Sequence, residues 1–136
     1  MTRVKTPAEI AAEKAAAAQR AARAKQDFIN RSSSIPYADL IKDTTPFQGK
    51  KNALHGQIFQ IQQQEGMGGI MLLSVTDDGY GLWTDNVWID YDKDIPYVEK
   101  NLVTVYGTVT GTKSYDTQIG GTAYVPEVHA VYIDQG

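Results

Sequence analysis

The sequence predicts a mainly β protein: a five-stranded barrel over residues 36–136, carried behind an alanine-rich helical arm and serine-rich linker over residues 1–35. Three observations predict it. Apolar and polar residues alternate in five runs separated by glycine- and aspartate-bearing turns from Asn52 onward. Alanine dominates Ala8–Ala24, where no large apolar side chain stands between Ile10 and Phe28. Charge divides at the same place: residues 1–31 hold seven bases against three acids, a net of +4, and the remainder holds six against thirteen, a net of −7. With 136 residues, 42% of them hydrophobic, the chain can build one modest core but not two.

The arm is helical by its start signal as well as its composition. Thr6 is placed to cap the free amides, Pro7 suits the first helical position, and Glu9 completes a capping box. Acids come early (Glu9, Glu13) and bases late (Arg20, Arg23, Lys25), which suits the helix dipole. The helix is expected to end near Asp27–Arg31, before Ser32-Ser33-Ser34 and Pro36. Its faces of alanine bury little area, so it has no stripe with which to grip a core. That leaves a solvated tether or a helix that packs on a copy of itself or a partner, with Arg20, Arg23 and Phe28 as its contact residues.

In the body, Pro36–Ile41 reads as a short helix with Tyr37, Leu40 and Ile41 on one face. The strands are expected over Asn52–Gln62, Ile70–Thr76, Asn86–Tyr91, Leu102–Thr110 and Ala123–Ile133, with a short helical turn at Ile95–Lys100. In the fourth, Val103, Val105, Gly107 and Val109 face one way and Leu102, Thr104, Tyr106 and Thr108 the other; in the third, Val87, Ile89 and Tyr91 oppose Trp88 and Asp90. Gly56 and Gly107 interrupt strands where a strongly curved sheet needs a bend or a close approach. Five strands with a helix between the third and fourth is the recipe of an OB-fold barrel.

Several runs then add a resemblance. Tyr37-Ala38-Asp39-Leu40, Phe47-Gln48-Gly49-Lys50-Lys51 and Gly56-Gln57-Ile58-Phe59-Gln60-Ile61 come first. The stretches 85–92 (Asp-Asn-Val-Trp-Ile-Asp-Tyr-Asp) and 103–111 (Val-Thr-Val-Tyr-Gly-Thr-Val-Thr-Gly) follow, and then Gly120-Gly121 ahead of Val125-Pro126-Glu127-Val128-His129-Ala130. In these runs and their spacing the chain resembles the bacterial OB-fold domains called tRNA-anticodon-like, over roughly residues 37–134. The resemblance implies an OB barrel and a bacterial or phage origin, since members are mostly uncharacterised proteins of Gram-positive bacteria and their mobile elements. Members often follow a membrane anchor or lipoprotein signal, which implies an extracytoplasmic or virion setting. The family's name points to nucleic acid, but no motif residue carrying that activity matches a position here.

Composition excludes much chemistry. No cysteine means no disulfide, zinc-thiolate site or cysteine nucleophile, and two histidines cannot build a multi-histidine cage. No run reaches the ~18 apolar residues of a membrane span. Nor does an apolar block with a cleavage site mark a secretory signal. Asp90-Tyr91-Asp92-Lys93-Asp94 opens like a calcium loop, but Ile95 stands where its glycine belongs and Asn101 where its glutamate belongs. His55 and His129, with Asp90, form the minimum for a metal if they meet across strands, though isolated strand histidines are ordinarily surface or hydrogen-bonded residues. No catalytic arrangement is visible and no cofactor or metal is expected.

Two constellations remain. Trp88 and Tyr106, on the outward faces of strands taken as neighbours, are a candidate aromatic platform. Without interleaved bases, packing under loops or against the arm helix is the commoner fate of such residues. The polar stretch Gly111–Val125 lies between the last two strands, where OB barrels present loops to ligands, and nominates Thr112, Tyr115, Thr117, Gln118 and Ile119 as contact residues. The expected function is a non-catalytic interaction or assembly module, its arm and hairpin touching copies of the chain or a larger structure such as a cell surface or virion. The alternative is single-stranded nucleic-acid binding, which the acidic body opposes. A third reading is a carbohydrate or peptide binder using the aromatic face.

Overall fold

The computed structural model describes residues 4–136. It separates into two units, the helical arm and Ser32–Gly136. In the arm, α1 spans Pro7–Arg31 and buries no residue, as its alanine faces require. The expected cap is present: the Glu9 N–H donates to Thr6 Oγ1 at 3.2 Å. Lys5 pairs with Glu13 across the first turns at 2.6 Å. No helix among the described residues is long and apolar enough to cross a membrane.

The second unit begins with an extended segment in which Ser33 bridges to Asn52 in parallel. The Ser33 N–H donates to the Lys51 carbonyl and its carbonyl accepts from Ala53. The short helix α2 (Tyr37–Lys42) and a 3-10 turn (Thr45–Phe47) follow. Five strands come next: β1 (Lys51–Gln64), β2 (Gly68–Asp77), β3 (Trp83–Tyr91), β4 (Leu102–Asp116) and β5 (Thr122–Gln135). They close into a ring in the order β1-β2-β3-β5-β4. Every pairing is antiparallel except β3 with β5, which is parallel and only three pairs long.

Period-two patterning decides what the ring encloses. Leu54 and Ile58 of β1, Met71 and Leu73 of β2, Val87 and Ile89 of β3, Val103, Val105 and Val109 of β4, and Val128 of β5 all face inward and form one buried cluster. The alternation expected for the third and fourth strands holds residue by residue. Gly56 and Gly107 mark close approaches between strands: a Cβ at Gly56 would sit 2.2 Å from the Ser74 carbonyl oxygen, and one at Gly107 2.4 Å from that of His129.

Where β1 enters the ring it parts from β2, their last pair being Gln57 with Ser74. There α2 supplies Leu40, 1% exposed, to the shared core. Where β1 leaves the ring, the connection from β3 to β4 packs Ile95 and Tyr97 on the same core. The helical turn expected at Ile95–Lys100 is absent, because side chains have taken the backbone groups it would need. The Ile95 N–H donates to Gln63 Oε1 at 3.1 Å, and Gln63 Nε2 donates to the Ile95 carbonyl. Pro96 has no N–H, and the Val98 N–H donates to Asn101 Oδ1. Asp94 anchors the start of the connection, accepting from the amides of Gly66 (2.7 Å) and Gly68 (3.0 Å). Those two bonds hold its carboxyl below the usual range.

Candidate binding cleft

The cleft begins with a mismatch between strand lengths. β1 accompanies β4 only as far as the pair Lys51–Thr108, and β3 joins β5 only at Trp88–Glu127. β4 and β5 nevertheless stay paired to Asp116–Thr122. Beyond the ring they form a two-stranded ribbon, turned by a bulge between Val109 and Gly111. The Gly111–Val125 stretch is therefore an extended hairpin, mostly strand, and only Thr117–Gly121 is the turn, closed by the Thr117 hydroxyl, which donates to the Gly121 carbonyl and accepts from its amide.

The ribbon lies against the outer face of the ring. Register places Gln60, Leu72, Trp88 and Glu127 in one row across β1, β2, β3 and β5. The Tyr115 ring packs on Trp88 at 6.3 Å between centroids, inclined by 38°, and Lys113 Nζ stands 5.3 Å from the centre of the indole. Leu72, on the outward parity of β2, is 4% exposed. Two hollows adjoin this contact. One, of about 200 Å³, has Leu72, Trp88, Ile70 and Gln62 in its wall. The other, of about 290 Å³, has Phe59, Asn86, Thr117 and Gln118. Gln60, Tyr115 and Asp116 border both, so the two hollows adjoin along the end of the ribbon.

Local backbone and a buried hydroxyl set the orientation of Asn86. Asp85 takes a left-handed conformation (φ 65°) inside β3, tolerable for aspartate, and its carboxylate accepts from the Thr76 hydroxyl at 2.7 Å. The buried Ser74 hydroxyl donates to Asn86 Oδ1 at 2.6 Å, which turns Asn86 Nδ2 toward Tyr115 Oη at 3.4 Å. Tyr37 of α2 lies within electrostatic reach of Asp85 and Tyr115. Burial first, then the nearby Asp85 and Tyr115, raises its phenol above the usual value.

The residues singled out from sequence fare differently. Trp88, Tyr115, Thr117 and Gln118 meet in the cleft. Thr112 does not join them, because its hydroxyl is hydrogen-bonded to that of Thr44 at 2.9 Å, at the base of the ribbon. Ile119 lies in the turn, 96% exposed. Tyr106 is not Trp88's neighbour: β5 lies between β3 and β4, and Tyr106 pairs with Ala53 and Tyr132 instead. That platform does not exist, and the aromatic partner of Trp88 comes from the ribbon. Arg20 and Arg23 are exposed on α1, where Phe28 is half-buried. His55 and His129 do not meet. His55 packs edge-on against Trp83 and its Nε2 lies 2.8 Å from the Gly136 carbonyl. The imidazole of His129 lies between two carboxylates, Nδ1 3.2 Å from Asp90 and Nε2 3.3 Å from Asp92. Among the described residues no cluster of three or more histidines and acids is arranged to hold a metal ion.

Sequence reasoning missed Gln60, Gln62, Asn86, Asp116 and the floor residue Leu72. A signal for the floor was present. Met71-Leu72-Leu73 is an unbroken apolar run, and only alternate members of a strand can face one core, so Leu72 required cover on the outside. No family model matches the sequence, and neither does any curated relative.

Proposed function

We propose that the chain is a non-catalytic interaction and assembly module of the OB type, in which the ring is a rigid body and the ribbon face and arm make the contacts. The strand order β1-β2-β3-β5-β4, with its one parallel pairing, is the order of an OB barrel and supports that assignment. One observation carries the functional reading. A ribbon extended beyond the ring is pinned through Tyr115 and Lys113 on Trp88 and is flanked by two adjoining hollows. A rigid scaffold that presents a concave surface beside a projecting element is the usual build of a recognition site. The arm supports assembly: it is a 25-residue helix with no buried residue and a net positive charge, attached to a net negative body.

Light scattering on the full chain and on Ser32–Gly136 tests the assembly half of this reading. An oligomer that dissociates when the arm is removed is expected. A full chain that stays monomeric at high concentration overturns that half.

A further inference from the structure

The lining of the cleft identifies the kind of ligand it takes. We infer that it binds a neutral glycan, a proposal that rests on the reading of the ribbon face as the working surface. Gln60, Gln62, Gln118 and Asp116 border the hollows, and none spends a side-chain hydrogen bond within the described residues. Each amide offers both a donor and an acceptor, and Asp116 offers acceptors alone. Asn86 is oriented in advance: its oxygen is occupied by Ser74 and its nitrogen keeps an N–H beyond the long contact to Tyr115. Convergent groups of mixed donor and acceptor character match hydroxyls, which also donate and accept.

The remaining surface fits the carbon face of a sugar ring. Trp88 and Tyr115 present inclined aromatic surfaces above the apolar Leu72 and Ile70. Electrostatics argues against a phosphate-bearing chain. No lysine or arginine lines either hollow, Asp116 borders both, and the nearby Lys113 is already stacked on Trp88. A neutral polyhydroxyl chain needs no counter-charge.

The test uses the full chain. Its backbone amides and the Trp88 indole N–H are followed by NMR while neutral oligosaccharides (cellohexaose, chitohexaose, maltohexaose and a mannan fragment), an oligothymidine strand and a pool of extended peptides are added in turn. The expected result is saturable shifts at Gln60, Asn86, Tyr115 and Trp88 with at least one neutral oligosaccharide, little changed by salt. Gln60→Ala, an exposed change that breaks no internal bond, should weaken that binding about tenfold, as should Trp88→Ala. Shifts at the cleft with the oligothymidine or peptides alone overturn the glycan assignment and leave the working surface in place. Glycan shifts confined to another face overturn it too. If nothing binds, the proposal fails, and shifts on self-association then decide the wider reading: shifts at the ribbon retain it, and their absence removes it.

Discussion

Leu40 closes the ring where β1 and β2 part, and its removal tests whether α2 is structural or merely adjacent. A six-residue helix cannot hold itself in water, so α2 persists through what it buries. What it buries is Leu40, 1% exposed, while Ile41 beside it is 43% exposed. Leu40→Ala deletes the apolar branch, worth roughly 2–3 kcal/mol in transfer, and leaves a cavity whose cost brings the total to about 3–4 kcal/mol. For a unit of this size that lowers Tm by on the order of 15–20 °C, a large part of a stability of roughly 5–15 kcal/mol. Ile41→Ala should cost under about 1 kcal/mol. Urea unfolding gives both values, and amide exchange at Tyr37–Lys42 should accelerate in the first variant only. Equal costs for the two substitutions would refute the claim that Leu40 pins the helix.

Three further outcomes are expected. Gly107→Ala forces a Cβ against the His129 carbonyl and should cost about 2 kcal/mol or more by denaturant unfolding, against less than that for Gly120→Ala, whose strain is confined to an open turn. Because the Asp94 carboxyl is depressed in the folded chain by the amides of Gly66 and Gly68, its contribution is complete above the unfolded value and is lost as pH falls through the folded one. Exchange at those two amides, corrected for intrinsic rates, should lose protection on acidification below about pH 4, and Asp94→Ala should remove both the protection and its pH dependence. An oligothymidine strand should show no binding at low salt; binding that Trp88→Ala weakens would restore the nucleic-acid alternative.

The extent to which the fold was legible follows from how local each signal is. The cap at Thr6, the alternation in β3 and β4, and the close approaches at Gly56 and Gly107 are statements about neighbouring residues or one strand's faces, and the structure contains them. The helical turn at Ile95–Lys100 failed because its competitors, Gln63 and Asn101, bond to the backbone there, and Gln63 is distant in sequence. The cleft was half legible. Trp88 and Tyr115 were both singled out, but in separate constellations, since no local pattern reveals that the β4–β5 ribbon folds onto β3; the expected OB order already sets β5 between β3 and β4, against pairing Trp88 with Tyr106.

That insertion also explains why charge misdirects at this site. Lys113 is the base that a nucleic-acid reading needs beside the aromatics, and the structure does bring it there. It comes, however, as the ribbon's anchor: its ammonium stands 5.3 Å from the centre of the indole rather than on a track of bases. The contact that fixes the ribbon covers part of an aromatic face and leaves one exposed ammonium there, opposite in charge to Asp116. What faces the cleft is then amides, hydroxyls and one carboxylate around the exposed parts of Trp88 and Tyr115. With one lysine beside Asp116 on an acidic body, the proposed binding rests on hydrogen bonds and stacking rather than on opposite charge.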